Sequence, residues 1–314
     1  MTINNIYTKM FAKVTESAAI RASKYRGKND KIAADQAAVD GMRKELNLIE
    51  MRGKIVIGEG EMDEAPMLYI NEKVGKNLGP EFDIAVDPLE GTNFTAKNLP
   101  NALAVIAISE KGNLLNAPDI YMKKIVVGPN LPNGIVDLDF SVSKNIKLLS
   151  DALKKKPDQL NVCLLKRPRH DSIVKSLNKQ NVKISFISDG DVTGAISVAD
   201  PNKNIDMYIG TGGGPEGVLA AAALKCLGCQ MQTQLVFTDE SQKIRSKKMG
   251  INDLNKKYHI NDMVKGDVIF CATGVTNGDF LKGVKDKDNI YSTETLILHL
   301  SSNTNKIIKN NIKK

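Results

Sequence analysis

The side chains best suited to chemistry are acids that follow short apolar segments. GEGEMDE at 58–64 follows KIVI, DPLEGT at 87–92 follows DIAV, and Glu216 follows GGGP. A strand that ends in acids and turns on Gly or Pro directs carboxylates beyond the sheet edge, where α/β folds place ligands. Grouped carboxylates repel one another unless a cation neutralises them, and all-oxygen ligand sets favour Mg²⁺ or Mn²⁺ over zinc. These acids therefore predict a site for hard divalent cations.

The alternative for the same acids is a structural role as helix caps and turn residues. That alternative is favoured for Glu61 and Glu64. It is not favoured for Asp87 and Glu90, because their turn also contains a proline that fixes it, a glycine that permits close approach, and the hydroxyl of Thr92. Two carboxylates and a hydroxyl in six residues predict a site for a metal and a water.

Two further segments could bind anions. GTGGGPEG at 210–217 joins the predicted strand IDMYI to an alanine-rich helix. Its glycines would expose backbone N–H groups at a helix N-terminus, which together favour an anion. KRPRH at 166–170 follows the predicted strand VCLL, and its arginines could bind phosphate in a bidentate way. A solvated basic loop explains this second segment equally well.

Two other phosphatase chemistries have partial signatures. Cys163 and Arg169 match the C-x₅-R spacing of cysteine phosphatases, but the intervening residues contain no glycine to form an amide cradle, so this chemistry is rejected. DGDVT at 189–193 matches the D-x-D-x-T pattern of haloacid-dehalogenase-type phosphatases, in which the first Asp forms an aspartyl-phosphate. That alternative is less favoured, since it leaves the two upstream acidic clusters without a role.

The elements that position these residues can be read from hydrophobic periodicity. Helical spacing over 8–50 predicts two helices separated by the turn RGKND at 26–30, and a further helix is predicted over 65–74. Strands are predicted at 54–58, 83–87 and 101–109, followed by β-α alternation in the second half of the chain. This pattern predicts an α/β fold with a mainly parallel or mixed sheet flanked by helices. We place a boundary near 150–160, giving lobes 1–155 and 156–314.

Composition excludes several classes of protein. The 314 residues are 42% hydrophobic and 25% charged, without a run of about 18 apolar residues or an apolar signal core, so a cytoplasmic protein is expected. The net charge is +8, but the lysines are scattered and only 5% of residues are aromatic, which argues against nucleic acid and for a surface that attracts phosphorylated anions. The C-x-x-C of Cys226 and Cys229 is interpreted as buried helix-end cysteines rather than half a zinc site or a redox pair.

Several segments, taken together, resemble class II fructose-1,6-bisphosphatases. They are GKIVIGEGEMDEAPMLYI (53–70), DIAVDPLEGTNFTA (83–96), NALAVIAI (101–108), NAPDIYMKKIVVGP (116–129), RPRH (167–170), SDGDVTGAI (188–196) and TGGGPEGVLAAAALK (211–225). The DPLEGT turn alone is typical of the wider lithium-sensitive phosphatase superfamily, whereas its combination with the other segments is more specific. The resemblance implies a layered α/β sandwich of mixed sheets flanked by helices, with two lobes, similar to inositol monophosphatases.

The resemblance also implies roles for individual residues. Asp35 and Glu59 would bind one metal ion, and Asp87, Glu90 and Glu216 another, with two or more Mn²⁺ or Mg²⁺ ions per site. Thr92 would orient the attacking water, with Asp63 supporting the metal and water cluster. The implied substrate contacts are Glu90, Gly91, Thr92, Tyr121, Arg167, Pro168, Arg169, Asp189, Gly190, Asp191 and Gly213. One departure is Asn29, where glycine is expected in the RGKND turn, although Asn tolerates a left-handed backbone.

The implied reaction is hydrolysis of the 1-phosphate of fructose 1,6-bisphosphate by direct attack of a metal-bound water, with fructose 6-phosphate as product. The arginines would anchor the phosphate that is not cleaved, and Asp189 and Asp191 would contact sugar hydroxyls. Gluconeogenesis and a homo-oligomer, either a dimer or a tetramer, are implied in the same way. Three alternatives stay open: a sedoheptulose 1,7-bisphosphatase or dual bisphosphatase, a dehalogenase-type enzyme using Asp189, and a non-catalytic sugar-phosphate sensor.

Overall fold

The computed structural model of the chain describes residues 2–58 and 68–314. One unit comprises Met1–Asn116 and Val264–Lys314, and the other comprises Ala117–Met263. The lobes expected at 1–155 and 156–314 differ from these units. The strand at 121–127 belongs to the sheet of the second unit, and the strands that follow residue 264 return to the sheet of the first. Hydrophobic patterns along the chain do not reveal such a return.

The helices are α1 (Ile6–Ser23), α2 (Lys31–Leu46), α3 (Thr92–Ala96), α4 (Val142–Leu153), α5 (Asp171–Asn178), α6 (Asp191–Ile196), α7 (Gly214–Cys226), α8 (Glu240–Lys248) and α9 (Ile260–Met263). The strands are β1 (Arg52–Ile57), β2 (Lys73–Val74), β3 (Glu81–Glu90), β4 (Leu103–Glu110), β5 (Tyr121–Val127), β6 (Asn161–Leu165), β7 (Lys183–Ile187), β8 (Met207–Gly213), β9 (Gln230–Leu235), β10 (Lys257–His259), β11 (Val268–Gly274), β12 (Lys285–Lys287), β13 (Ile290–His299) and β14 (Thr304–Lys313). Helices and strands of both units confirm the α/β class.

The described part of the first unit contains one mixed sheet in the order β12-β13-β11-β4-β3-β1-β2, with β14 paired to β13. β1 and β3 run parallel, whereas β4 is antiparallel to both of its neighbours. β4 is buried over LAVIAIS, a continuous apolar run typical of a strand covered on both faces. α1 packs against this sheet and α2 packs against α1. The two helices approach closely at Gly41, where an added Cβ would lie 2.7 Å from the Ser17 carbonyl oxygen.

Glu16 is a buried acid that joins α1 to the edge of this sheet. Its Oε1 accepts hydrogen bonds from Asn310 Nδ2 at 2.7 Å, Thr293 Oγ1 at 3.1 Å and Thr295 Oγ1 at 3.3 Å. Burial raises the pKa of Glu16 above its usual value, against the opposing effect of these bonds. A carboxyl whose pKa is higher folded than unfolded stabilises the protein at low pH and loses that contribution as the pH rises through the folded pKa.

Glu16→Gln is therefore expected to raise Tm at neutral to alkaline pH, because the neutral amide can still accept all three bonds through its oxygen. The increase in Tm relative to the wild type should become smaller as the pH falls, because the wild-type carboxyl then becomes protonated. Thermal unfolding across a pH series measures this difference, with Glu50→Gln as the control because Glu50 is exposed on the same unit. A gain that is equal at every pH would show that the Glu16 carboxyl is not the cause.

The described part of the second unit contains a second mixed sheet in the order β10-β9-β5-β8-β6-β7. β6 runs parallel to β7 and β8, and β5 runs antiparallel to β8 and β9. α7 packs against β5, β8 and β9. Its residues are buried all round from Gly217 to Leu224, as expected for a helix without a polar face. The mixed sheets with flanking helices agree with the predicted architecture.

One predicted helix is wrong where the structure describes it. In the predicted helix at 65–74, residues 68–72 are not helical, residues 73–74 form β2, and the preceding residues lie outside the described part of the chain. Asn71 N donates to Ile55 O at 2.8 Å, and Ile55 N donates to Glu72 O at 2.9 Å. Pairing with β1 therefore overrides the local helical pattern. In residues 2–58 and 68–314, no helix has the length and apolar character needed to cross a membrane.

Candidate functional site

The acidic turn at 87–92 joins the end of β3 to the start of α3. The pairing of β3 with β4 contains a bulge between Asp87 and Glu90: Asp87 pairs with Val105 and Glu90 pairs with Leu103, so β3 has one extra residue in this interval. Pro88 suits this irregular point because it has no N–H to donate to the ladder. Gly91 has a φ of 85°, a left-handed conformation that glycine adopts readily. The sharp reversal places Asp87, Glu90 and Thr92 in one bulged turn.

The carboxylates of this turn are only partly accessible to solvent. Glu90 is 5% exposed, and Asp87 is half-buried with its Oδ1 accepting a hydrogen bond from Leu89 N at 3.2 Å. Taking a carboxylate out of water is costly unless hydrogen bonds or a cation compensate for the lost hydration. A buried acid beside a second acid fits the donor set of a hard divalent cation.

Asp35 lies in α2, which packs against both β3 and α3. The RGKND turn before α2 is tied to α3 by hydrogen bonds from Gly27 N to Thr95 O at 3.0 Å and from Asn29 N to Ala96 O at 2.8 Å. Asn29 has a φ of 55°, which confirms that asparagine adopts the left-handed conformation expected at this position. These bonds attach the start of α2 to the helix that follows the acidic turn.

Other predicted residues fall outside the described part of the chain. Glu59 and Asp63 do so, together with Glu61 and Glu64, and their roles stay predictions. Within residues 2–58 and 68–314, no group of three His, Cys, Asp or Glu side chains is arranged to hold a metal ion. The five predicted ligands stay a prediction, because Glu59 lies outside these ranges and Glu216 belongs to the other unit from Asp87 and Glu90.

In the second unit, the predicted glycine-rich segment forms the end of β8 and the first turn of α7. The carboxylate of Glu216 folds back over Gly213, where an added Cβ would overlap Glu216 Oε2, so a larger residue there would require this carboxylate to move. Oε2 is buried and has no hydrogen-bond partner among the described residues. Burial raises the pKa of Glu216, and nearby Asp191 adds to this effect while Lys124 opposes it. An orphaned, buried carboxylate oxygen fits a metal ligand, since a cation would supply the missing partner.

Asp191, an implied contact for the sugar, is held inside the second unit. It is 8% exposed, and its carboxylate contacts Lys124 Nζ through one oxygen and the Tyr208 hydroxyl through the other. Gly212 makes room for it, since a Cβ there would overlap Asp191 Oδ2. Lys124 is 1% exposed and forms the buried ion pair with Asp191. The arrangement gives Asp191 an anchoring contact on each oxygen.

Arg169, Tyr121 and Gly213 are neighbours in the second unit. Tyr121 pairs with Gly213 across β5 and β8, and its ring is half exposed. The Arg169 guanidinium lies 4.7 Å from the centre of that ring, and its Nε donates to Thr211 O at 2.9 Å. With Nε bound to the backbone, the two terminal nitrogens of Arg169 are the atoms suited to grip a phosphate in a bidentate way.

Arg167 and Asp189 form a second neighbouring pair. Arg167 Nη1 donates to Ser188 O at 2.6 Å, and Nη2 lies 4.0 Å from Asp189 Oδ1. Both side chains are partly exposed. Pro168 starts a short 3₁₀ turn, and Gly190, with a φ of 85°, precedes α6. The basic segment is therefore structured, and each of the two arginines that flank Pro168 in the sequence donates to a backbone carbonyl of another segment.

The rejected cysteine chemistry is inconsistent with the environment of Cys163. This residue lies buried in β6, and burial raises the pKa of its thiol to about 12. A nucleophilic cysteine needs thiolate character near neutral pH. Cys229 likewise has its pKa raised to about 12 by burial, whereas Cys226, the last residue of α7, is only partly buried. The interpretation of the C-x-x-C as buried helix-end cysteines therefore agrees with the structure in part.

Sequence reasoning missed the side chains that support the predicted residues. Lys124 and Tyr208 hold Asp191, and His170 accepts a hydrogen bond from the N–H of Thr211, whose carbonyl oxygen accepts one from Arg169. The sequence does contain one indication that Lys124 is buried. In YMKKIVV, alternation places it on the same face as Met122 and Val126, both of which are buried. A lysine on the apolar face of a strand indicates a buried acidic partner.

Comparisons with known proteins identify similar fructose-1,6-bisphosphatases over nearly the whole chain. A family model described as bacterial fructose-1,6-bisphosphatase, glpX-encoded, matches residues 5–312. A class 2 fructose-1,6-bisphosphatase of Haemophilus influenzae is 44% identical over 307 residues, covering 94% of this chain and 92% of the relative. Fructose-1,6-bisphosphatase 1 class 2 of Escherichia coli K12 is 44% identical over 308 residues, covering 94% of this chain and 91% of the relative. A Thermosynechococcus vestitus protein named D-fructose 1,6-bisphosphatase class 2/sedoheptulose 1,7-bisphosphatase is 41% identical, covering 98% of this chain and 95% of the relative.

Two mixed sheets with flanking helices, together with these relatives, define a metal-dependent phosphatase with an α/β sandwich architecture. The buried acids at the ends of β3 and β8 suit such a class. The chain belongs to the glpX-encoded family of bacterial fructose-1,6-bisphosphatases.

Proposed function

We propose that this protein hydrolyses fructose 1,6-bisphosphate to fructose 6-phosphate and phosphate as a class 2 fructose-1,6-bisphosphatase. The observation that carries the proposal is the family match over residues 5–312, which spans every predicted site residue. Hydrolysis adds water across the P–O bond of the 1-phosphate, so that no other reactant is required. A covalent aspartyl-phosphate on Asp189 is not part of the proposal, because Asp191, the second acid of the DGDVT segment, which would have to donate the proton in that chemistry, is held by Lys124 and Tyr208.

The proposed metal ligands are Asp35, Glu59, Asp87, Glu90 and Glu216, holding two or more Mg²⁺ or Mn²⁺ ions. Bound divalent ions would neutralise charge on the phosphoryl group and increase the acidity of the attacking water. The burial of Glu90 and the raised pKa of Glu216 support this assignment, because burial removes water from both carboxylates and a bound cation would favour their ionised form.

The chain itself would orient the water and the transferred phosphoryl group. Thr92 follows the reversal at Gly91, and its hydroxyl can accept one hydrogen bond and donate another, which suits the positioning of a water. Asp63 is proposed to support the same group of carboxylates. Fixing a reactant in an attacking geometry contributes to the rate because orientation is settled before the reaction begins.

The arginines are proposed to hold the phosphate that is not cleaved. Arg169 is fixed through Nε and through its stacking on Tyr121, so its terminal nitrogens bind without a large loss of side-chain entropy. Arg167 lies within reach of Asp189, which is proposed to accept a hydrogen bond from a sugar hydroxyl. The backbone at Gly213 would add a close contact, since glycine carries no side chain to cover it.

A second bisphosphate is favoured by one observation. The relative from Thermosynechococcus vestitus carries both the fructose 1,6-bisphosphatase and the sedoheptulose 1,7-bisphosphatase names. We therefore propose sedoheptulose 1,7-bisphosphate as a second substrate to be tested beside fructose 1,6-bisphosphate. Comparable kcat/KM for the two sugars would establish a dual bisphosphatase, whereas turnover of the hexose alone would restrict the function to it.

Metal removal tests the proposed function directly. EDTA is expected to abolish phosphate release from fructose 1,6-bisphosphate, and added Mn²⁺ or Mg²⁺ should restore it, because the buried carboxylates lose the ions that neutralise them. A colorimetric phosphate assay over a panel of sugar phosphates makes the measurement. Full activity in EDTA would exclude metal-dependent hydrolysis, and bisphosphate binding without phosphate release in any metal would identify a sensor.

A further inference from the structure

The buried imidazole of His170 bridges two strands of the second unit. It is 1% exposed, its Nδ1 lies 2.7 Å from Leu165 O, and its Nε2 lies 2.8 Å from Thr211 N. The backbone N–H of Thr211 can only donate, so Nε2 accepts and Nδ1 carries the proton that is donated to Leu165 O. This pair of bonds defines a neutral imidazole with the proton on Nδ1.

The imidazole lies where the pairing between β6 and β8 ends. The ladder joins Val162 to Met207 and Cys163 to Tyr208, and the bridge of His170 follows beyond these pairs. The ring packs directly on Gly210, where an added Cβ would lie 3.0 Å from His170 Cε1. His170 therefore takes the place of ladder hydrogen bonds between the ends of the two strands.

The same bridge determines where Arg169 lies. His170 accepts from the N–H of Thr211, while Arg169 Nε donates to the carbonyl oxygen of Thr211 at 2.9 Å. His170 and Arg169 thus bind the N–H and the carbonyl group, respectively, of the same β8 residue, Thr211. Tyr121, on which the Arg169 guanidinium stacks, belongs to β5, the other neighbour of β8. If the imidazole bridge were lost, Arg169 would keep its bonding groups, but the backbone that carries it would no longer be fixed to β8.

We infer that His170 is a positioning residue that holds Arg169 in place to bind a phosphate group of the substrate. His170 is buried and acts only through its neighbour. The inference rests on the proposed function for the identity of the phosphate ligand. The inference adds His170 to the proposed substrate-binding site. The role needs neither a charge nor a nucleophile, because the neutral imidazole only donates one hydrogen bond and accepts another.

His170→Asn is the discriminating variant. An Asn amide can replace the Nδ1 donor to Leu165 O but cannot reach Thr211 N, so the variant loses the bond next to Arg169. KM for fructose 1,6-bisphosphate is expected to rise about tenfold or more while kcat changes little, because a misplaced anchor weakens binding of the uncleaved phosphate. His170→Gln, which can place an acceptor near the former Nε2, should recover part of the loss. His299→Asn is the matched control, since His299 is also buried and hydrogen-bonded but lies in the other unit.

Arg169→Ala supplies the second arm. If His170 acts through Arg169, then His170→Asn should raise KM in the wild-type background and have no further effect in the Arg169→Ala background. An unchanged KM in His170→Asn, an equal increase in both backgrounds, or the same KM increase in His299→Asn would overturn the inference.

Binding of inorganic phosphate, measured by calorimetry in metal-free buffer, separates this inference from the proposed function. A wild-type protein that hydrolyses no sugar bisphosphate refutes the function. The inference still stands if phosphate affinity falls in His170→Asn and this fall disappears in the Arg169→Ala background. Equal phosphate affinity in wild type and His170→Asn, or no binding by wild type, counts against the inference itself.

Discussion

Glu216→Gln is expected to abolish most phosphatase activity and at the same time stabilise the metal-free protein. The loss of kcat should be on the order of 10²–10³, because an amide cannot supply the charge that a metal ligand contributes to transition-state stabilisation. The gain in stability arises because Oε2 of Glu216 is buried without a hydrogen-bond partner among the described residues, and burial raises the pKa of this carboxyl. A neutral side chain of the same shape removes the cost of burying a charge.

The effect of Glu216→Gln on Tm is expected to reverse when metal is bound. In EDTA, Tm of Glu216→Gln should exceed that of the wild type, and the excess should grow as the pH rises, since the wild-type carboxyl with its raised pKa then becomes ionised. In saturating Mn²⁺ the order should reverse, because the wild type gains the free energy of metal binding and the variant gains less. Thermal unfolding and phosphate release, each with and without Mn²⁺, make the measurement.

Glu240→Gln is the matched control for this variant. Glu240 also lies in the first turn of a helix, α8, but is exposed to solvent. It should show neither the activity loss nor the metal-dependent reversal of Tm. A Glu216→Gln enzyme with wild-type kcat, or with a Tm below that of the wild type in EDTA, would contradict the assignment of Glu216 as a ligand that the fold buries at a cost.

The turns that carry the acids could be predicted from the sequence because their chemistry is local. In DPLEGT, the proline, the glycine and the preceding apolar run lie within a few residues of one another, and the structure has the predicted strand and turn there. The bulge between Asp87 and Glu90 is not predicted by this pattern. The same holds for the glycine-rich segment, which ends β8 and begins α7 as expected. Backbone conformations of this kind depend on few residues, so a short segment contains the information.

Features that depend on distant segments were not predictable in this way. Asp35 looks like an ordinary helical acid, and only the resemblance to a family suggested a role for it. The units of the structure differ from the lobes placed at 1–155 and 156–314, because β11 pairs with β4 and so returns β11–β14 to the sheet of the first unit. For Asp191, the sequence does not show that Lys124, on β5, contacts its carboxylate. In each case the deciding contact joins residues that no short pattern connects.

That contact between Lys124 and Asp191 supports the last prediction. Lys124 is fully buried in β5, where it pairs with Gly210 of β8 on one side and Thr233 of β9 on the other. Its ammonium contacts the Asp191 carboxylate, which also accepts a hydrogen bond from Tyr208. Lys124→Met keeps much of the side-chain volume but leaves the carboxylate without its cation. Breaking one side of a buried ion pair is expected to cost about 3–5 kcal/mol of unfolding free energy.

Lys123→Met controls for the change in side-chain type at a neighbouring position, because Lys123 is itself exposed and lies on the opposite face of β5 from Lys124. The urea concentration at the midpoint of unfolding should fall strongly for Lys124→Met and change little for Lys123→Met. The double variant Lys124→Met/Asp191→Asn should be more stable than the sum of the single effects predicts, since removing both charges leaves neither one buried alone. Equal midpoints for the two lysine variants, or strictly additive effects in the double variant, would show that the pair does not hold α6 against the sheet of the second unit through its charges.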